Sequence, residues 1–166
     1  MKKILISLLT LSLLSLSTVA NSKSIRIGTE GAYPPWNNLN SAGELEGAEI
    51  DFGNEACKRM GADCEWVTQD WDGIIPALLN GKYDIIIAGM SITEERKEKV
   101  NFTTGYMTDG ARFAVLKDSG LADLNIAGMA KVNLNNAGGK EQAAIGQLIA
   151  AMDGKTVCVQ SSTIHQ

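Results

Sequence analysis

Several chemistries are put out of reach by what this sequence has little of. It carries one histidine, His165, and three cysteines, Cys57, Cys64 and Cys158. His165 sits near the end of the sequence with no plausible triad or metal partners nearby, so it points to neither a nucleophile–histidine pair nor a metal site. Gly138-Gly139-Lys140 lacks the upstream glycine (Leu134 stands there) and the following Ser or Thr of a phosphate loop. Lysine and arginine number 15 against 19 acids, without a basic cluster, which makes nucleic acid and anionic membranes poor partners. Beyond residue 20 no apolar run is long enough to cross a bilayer. We expect no catalytic residue, no metal and no cofactor.

What is present begins with an export signal. Lys2 and Lys3 precede an apolar stretch at 4–16, and Thr18-Val19-Ala20 supplies a small-x-small cleavage site. Cleavage after Ala20 removes two bases and leaves 13 bases against 19 acids, a net charge of −6. The product is expected to be soluble, exported and not inserted in a membrane. Its 146 remaining residues suggest about one domain. Cys57 and Cys64 lie close together, and in an oxidising compartment a disulfide is favoured over the alternative of two reduced buried thiols. Cys158 falls in an expected strand and reads as a small buried hydrophobe.

Along the chain, strands and helices alternate. Strands are expected at 24–29, 64–68 and 83–88, and helices at 49–60 (with Gly61 as the stop), 73–80 and 93–99. Residues 30–38 read as a Gly/Pro-rich loop and 40–47 as a turn between short extended pieces. Alternation of this kind predicts an α/β fold, a mostly parallel sheet with helices on both sides. Ligands then bind beyond the carboxyl ends of the strands, where loops 30–38, 69–72 and 88–93 emerge. Further on, a strand at 112–116, an irregular stretch at 117–139, a helix at 141–152 and a strand at 155–160 are expected. These do not close a second domain, and the chain reads as unfinished at Gln166.

The three loops hold most of the suggestive side chains. In "AGMSITEER", Thr93 is an N-cap and Glu94 and Glu95 suit a first helical turn, but Arg96 does not, because the helix dipole repels a cation there. Together with the Ser91 hydroxyl and exposed backbone N–H groups, Arg96 would form a carboxylate site. The alternative is an arginine bonded to a distant Asp or to a backbone carbonyl. Tyr33, Trp36 and Trp71, three of only nine aromatics, also fall in these loops. They suit flat or cationic ligand groups, or else cover the edge of a core. Glu30 would face a basic ligand group or is a solvated acid.

"IRIGTEGAYPPW", "GxEID", "CKRM", "IIPALLNGKYDIIIAGMSITEERKEKVNFT" and "GKTVCVQSST" together resemble the periplasmic solute-binding proteins of polar amino-acid ABC importers, in particular the histidine, lysine/arginine/ornithine and opine binders. The resemblance implies a type II periplasmic binding protein. Its parts would be a signal peptide at 1–20, a nearly complete first lobe at 21–109 and an incomplete second lobe at 110–166. It implies that Arg96 takes the ligand carboxylate with Ser91, and that the Ala88 and Gly89 backbone serves main-chain polar atoms. Tyr33, Trp36 and Trp71 would sandwich the ligand side chain, Glu30 would meet its distal cation, and Thr163 would cap the carboxylate. Ala88 and Gly89 replace serines found in several members, which leaves room for a bulkier ligand. The implied partners are an amino acid or opine and an inner-membrane ABC permease. A periplasmic dehydratase on the same fold, with Glu30 as its acid or base, and a fragment that binds nothing are the other classes.

Overall fold

The computed structural model of the chain describes residues 24–122, 124, 126, 132 and 137–166. The proposed signal segment at 1–20 and parts of the expected irregular stretch at 117–139 lie outside them. The described residues form two compact units, divided between Phe102 and Thr103.

The first unit is organised around β1 (Ser24–Thr29), in which isoleucines alternate with Arg26 and Gly28. Successive strand residues face opposite sides, so each face of β1 has its own core. Ile25 and Ile27 pack with Cys57, Cys64, Trp66 and Ile87 on one face. On the other, a Cβ added to Gly28 would lie 2.5 Å from the Tyr83 ring, and Tyr83 packs with Ile74, Ala88, Val67 and Ile86. Only glycine leaves room for that ring. Helix α1 (Ala48–Met60) covers the first face through Cys57, and α2 (Ile74–Leu79), entered by a short 3-10 turn at Trp71–Gly73, covers the second through Ile74.

β5 (Asp63–Thr68) runs parallel to β1 over all six residues, from Ser24 opposite Asp63 to Thr29 opposite Thr68. β6 (Ile85–Ile86) is parallel to β1 on its other side, giving the order β5-β1-β6. The expected strand at 83–88 is thus paired only at its centre. At the amino end of the sheet, Arg26 ties the approach to β6. Its guanidinium bonds Asp84 at 2.8 and 3.2 Å and the carbonyls of Gly81 and Lys82 at 2.9 and 3.0 Å. That grip places Asp84 beside Arg26 and sets the register of β6.

α1 begins after Gly47, carries Glu49 and Asp51 in its first turn and Lys58 and Arg59 in its last, and ends at Gly61 with φ +60. These charges complement the helix dipole, and the left-handed stop needs glycine. Cys57 and Cys64 form a disulfide across a separation of seven residues, joining α1 to β5.

Residues 30–38 are not the plain loop expected from their glycine and prolines. β2 (Ala32–Tyr33), β3 (Asn37–Leu39) and β4 (Leu45–Glu46) form a small antiparallel sheet in the order β2-β3-β4, with a cis Pro34–Pro35 bond between the first two. Strands of two or three residues are too short to show a period-two pattern.

In the second unit, α4 (Gly139–Met152) is the expected helix begun two residues earlier, with Ala144 buried and Ile149 67% exposed. The strands expected at 112–116 and 155–160 carry no ladder among the described residues. Their apolar side chains, Phe113, Leu116, Val157 and Val159, are exposed. Alternation makes a strand only where a neighbour takes its backbone hydrogen bonds. Cys158 shares that environment and is an exposed free thiol, not the buried hydrophobe expected. Among the described residues no helix is long and apolar enough to cross a membrane.

Candidate functional site: the carboxyl edge of the sheet

The three parallel strands end at Thr29, Thr68 and Ile86 on one edge, and each releases a chemistry-bearing loop there. β1 continues into Glu30 and Gly31. β5 continues through Gln69, whose N–H donates to the Thr29 carbonyl at 3.0 Å, into Trp71. β6 continues through buried Ala88 to Ser91 and α3 (Glu94–Lys97).

α3 starts as its sequence predicts. Thr93 is extended at φ −128, and its hydroxyl accepts the Arg96 N–H at 3.2 Å, a cap that satisfies one of the orphan donors of a first turn. The Arg96 side chain folds back from that turn. Its Nη1 donates to the Ser91 carbonyl at 2.9 Å, and its Cζ lies 5.4 Å from the centre of the Trp71 ring. Burial pushes the guanidinium pKa down, opposed by the charge of Glu95. An arginine titrates so far above neutrality that it stays charged. The backbone-carbonyl partner and the indole face therefore coexist, and both orient a cation. Trp71 also packs on the Ile74–Tyr83–Ala88 cluster, so its ring position is fixed by the core. A guanidinium held in one plane presents its N–H fork to a carboxylate, and each charge-assisted bond there contributes about 1.5–3 kcal/mol.

Ala88 turns its methyl into the core, 3% exposed, so only its backbone can face the crevice. Gly89 follows at φ +57. Its N–H points to a residue that sequence reasoning passed over: it donates to Oε1 of Glu49 at 2.7 Å. Glu49 is 1% exposed, and its Oε2 accepts from Asn37 Nδ2 at 2.6 Å. Asn37, also fully buried, accepts the Gly31 N–H on Oδ1 at 2.8 Å. In the sequence Glu49 reads as one more acid in a helical first turn, and nothing local to it signals burial.

Contacts thus join Trp71, Ser91 and Arg96 directly, and join Gly89 to the neighbour of Glu30 through Glu49 and Asn37. Glu30 itself is half-buried. Tyr33 is exposed on β2, while Trp36 is half-buried, its N–H donating to the Tyr33 carbonyl and its own carbonyl accepting from Glu49 N, each at 2.9 Å. Thr163 belongs to the second unit, where its hydroxyl donates to the Gln160 carbonyl at 2.8 Å.

Known proteins share this arrangement of sequence. The octopine-binding periplasmic protein of Rhizobium meliloti is 46% identical over 144 residues, covering 87% of this chain and 49% of its own length. The L-arginine-binding protein of Pseudomonas aeruginosa is 46% identical over 124 residues, covering 74% of this chain and 48% of that protein. Among solved structures, a Salmonella typhimurium periplasmic binding protein of high arginine specificity superposes with a TM-score of 0.50 at 34% identity, over 51% of this chain and 38% of that one. The chain spans about half the length of the curated relatives it matches. The fold is α/β, of the type II periplasmic binding protein kind expected from the sequence. The model of the bacterial extracellular solute-binding proteins, family 3, matches residues 25–156, and the chain belongs to that family.

Proposed function

We propose that this chain provides the first-lobe half of a periplasmic receptor for a basic amino acid or opine, which passes its ligand to an inner-membrane ABC permease. The observation that carries this reading is the half-buried Arg96 guanidinium held between the Ser91 carbonyl and the Trp71 ring at the carboxyl edge of the sheet. Arg96 takes the ligand carboxylate, with the Ser91 hydroxyl as a further donor. Trp71, Tyr33 and Trp36 hold the ligand side chain, and Glu30 meets its distal cation. The Gly89 amide is turned inward to Glu49. What the Ala88–Gly89 backbone offers an ammonium group is therefore its carbonyls. Curated relatives named for octopine and arginine support the ligand class. In this reading residues 1–20 direct export, 21–109 and 110–166 belong to lobes one and two, and the chain binds its ligand without transforming it.

The test is a titration of the exported, purified chain with arginine and with octopine, followed by tryptophan fluorescence. A saturable change that disappears in Arg96→Ala, with the ligand recovered unaltered by NMR, is the expected result. A native-like circular dichroism spectrum with no response to either ligand refutes the proposal, and so does conversion of the ligand.

A further inference from the structure

Glu49 is buried for a reason that helix electrostatics does not supply. An acid in a first turn gains from the dipole while remaining in water, as exposed Asp51 does in the same turn. Removing a carboxylate from water is costly unless donors replace the water. Here the donors come from two loops distant in sequence. The Gly89 N–H reaches Oε1 at 2.7 Å from the loop after β6, and Asn37 Nδ2 reaches Oε2 at 2.6 Å from β3. Asn37 in turn holds the Gly31 N–H at 2.8 Å. The helix start is pressed onto the same hairpin: Glu49 N donates to the Trp36 carbonyl, and a Cβ on Gly47 would lie 2.3 Å from that oxygen.

One carboxylate therefore stands between the two poles of the proposed site. On one side it fixes Gly89, two residues before Ser91, whose carbonyl holds Arg96. On the other it holds Asn37, which accepts the N–H of Gly31, next to Glu30. Resting on the binding function proposed above, we infer that Glu49 is a positioning residue that sets the spacing between the Glu30 loop and the Arg96 loop, and so the reach of the ligand that can bridge them.

Of the three bonds described, the middle one, between Asn37 and Glu49, can be reversed while the Gly31 and Gly89 bonds keep their direction. In Glu49→Gln the side-chain oxygen can accept from Gly89 only by turning the amide donor against the Asn37 donor, and that repulsion loosens the bonds at both ends. In Asn37→Asp two carboxylates oppose each other. In the double variant, Asp at 37 accepts from both Gly31 N–H and the glutamine amide, and the glutamine oxygen still accepts from Gly89. The experiment measures hydrogen exchange of the Gly31 and Gly89 amides by NMR in the full exported chain without ligand, referenced to amides of the β1–β5 ladder, together with the affinity for arginine. Each single variant should speed exchange at Gly31 and Gly89 by at least roughly tenfold relative to the ladder, and the double variant should bring it back. Arginine affinity of the folded fraction should fall and recover in parallel. Exchange at the two glycines that changes only in step with the ladder, or that the double variant leaves fast, overturns the inference. So does an arginine affinity that the single variants do not alter. A wild-type chain that binds neither arginine nor octopine refutes the proposed function instead, and amide exchange then decides the positioning role on its own.

Discussion

Residues 24–102 and residues 103–166 carry similar alternating apolar patterns, and the two units use them very differently. In the first, Ile27, Ile74 and Tyr83 are at most 2% exposed. In the second, Phe113 is 61% and Leu116 76% exposed, and Ala144 is the buried apolar residue among those described. The pattern of "RFAVL" is no weaker than that of "SIRIGT". What differs is that β1 has a parallel neighbour on each side and a helix over each face, whereas no described residue pairs with 112–116. Hydrophobic alternation proposes a strand, and the neighbours decide whether it becomes one.

The contrast can be broken most forcefully at Ile27. Ile27→Ala opens a cavity at the centre of the first core and should cost about 2–5 kcal/mol. Urea unfolding followed by tryptophan fluorescence measures it, since Trp36, Trp66 and Trp71 all lie in the first unit. A loss below 1 kcal/mol would mean that this core is not the stabilising one. Cys57→Ser with Cys64→Ser comes next, with a loss of about 2.5 kcal/mol on the chain-entropy account of a short loop. Cys158 should meanwhile react with a thiol reagent in the native protein at the rate of an exposed thiol.

A smaller effect is expected at Arg26 and Asp84. Hydrogen bonds from Arg26 hold the Asp84 pKa below its ordinary 3.8. A carboxylate depressed in the folded state stabilises above the unfolded value, and that contribution disappears as pH falls through the lower, folded value. Arg26→Ala should therefore lower the urea midpoint at pH 6 and flatten its decline below pH 4; a parallel decline in both proteins would sink the assignment. The smallest effect belongs to the exposed unit. Leu116→Ser should leave the unfolding free energy within about 0.5 kcal/mol of wild type, and a larger loss would show that 112–116 is covered in solution.

Legibility in the sequence followed the range of the interaction. α1 with its Gly61 stop, the Thr93 cap and the Cys57–Cys64 bridge depend on residues within a dozen positions, and all could be read; the alternation of β1 could be read too, although its pairing with Asp63–Thr68 and Ile85–Ile86 could not. The anomaly of Arg96 could also be read, though not the Trp71 ring that answers it 25 residues earlier. The small β2-β3-β4 sheet escaped because two-residue strands have no period. Glu49 escaped because its burial is imposed by Gly89, 40 residues away, while its local setting suits an exposed acid equally well.

The strand order has a consequence for the sequence of events in folding. β1 is the central strand of its sheet, yet both of its neighbours follow it in the chain, β5 ending at Thr68 and β6 at Ile86. A chain emerging with its amino end first must keep residues 24–29 unpaired until β5 has followed at Asp63–Thr68, and one edge of β1 open until β6 follows at Ile85–Ile86, since no local hairpin can stand in for a parallel neighbour. The carboxyl edge of the sheet is thus completed only when Ile86 arrives and the two flanks of β1 close. Until then β1 has at most one of the two neighbours that its central place in the sheet requires.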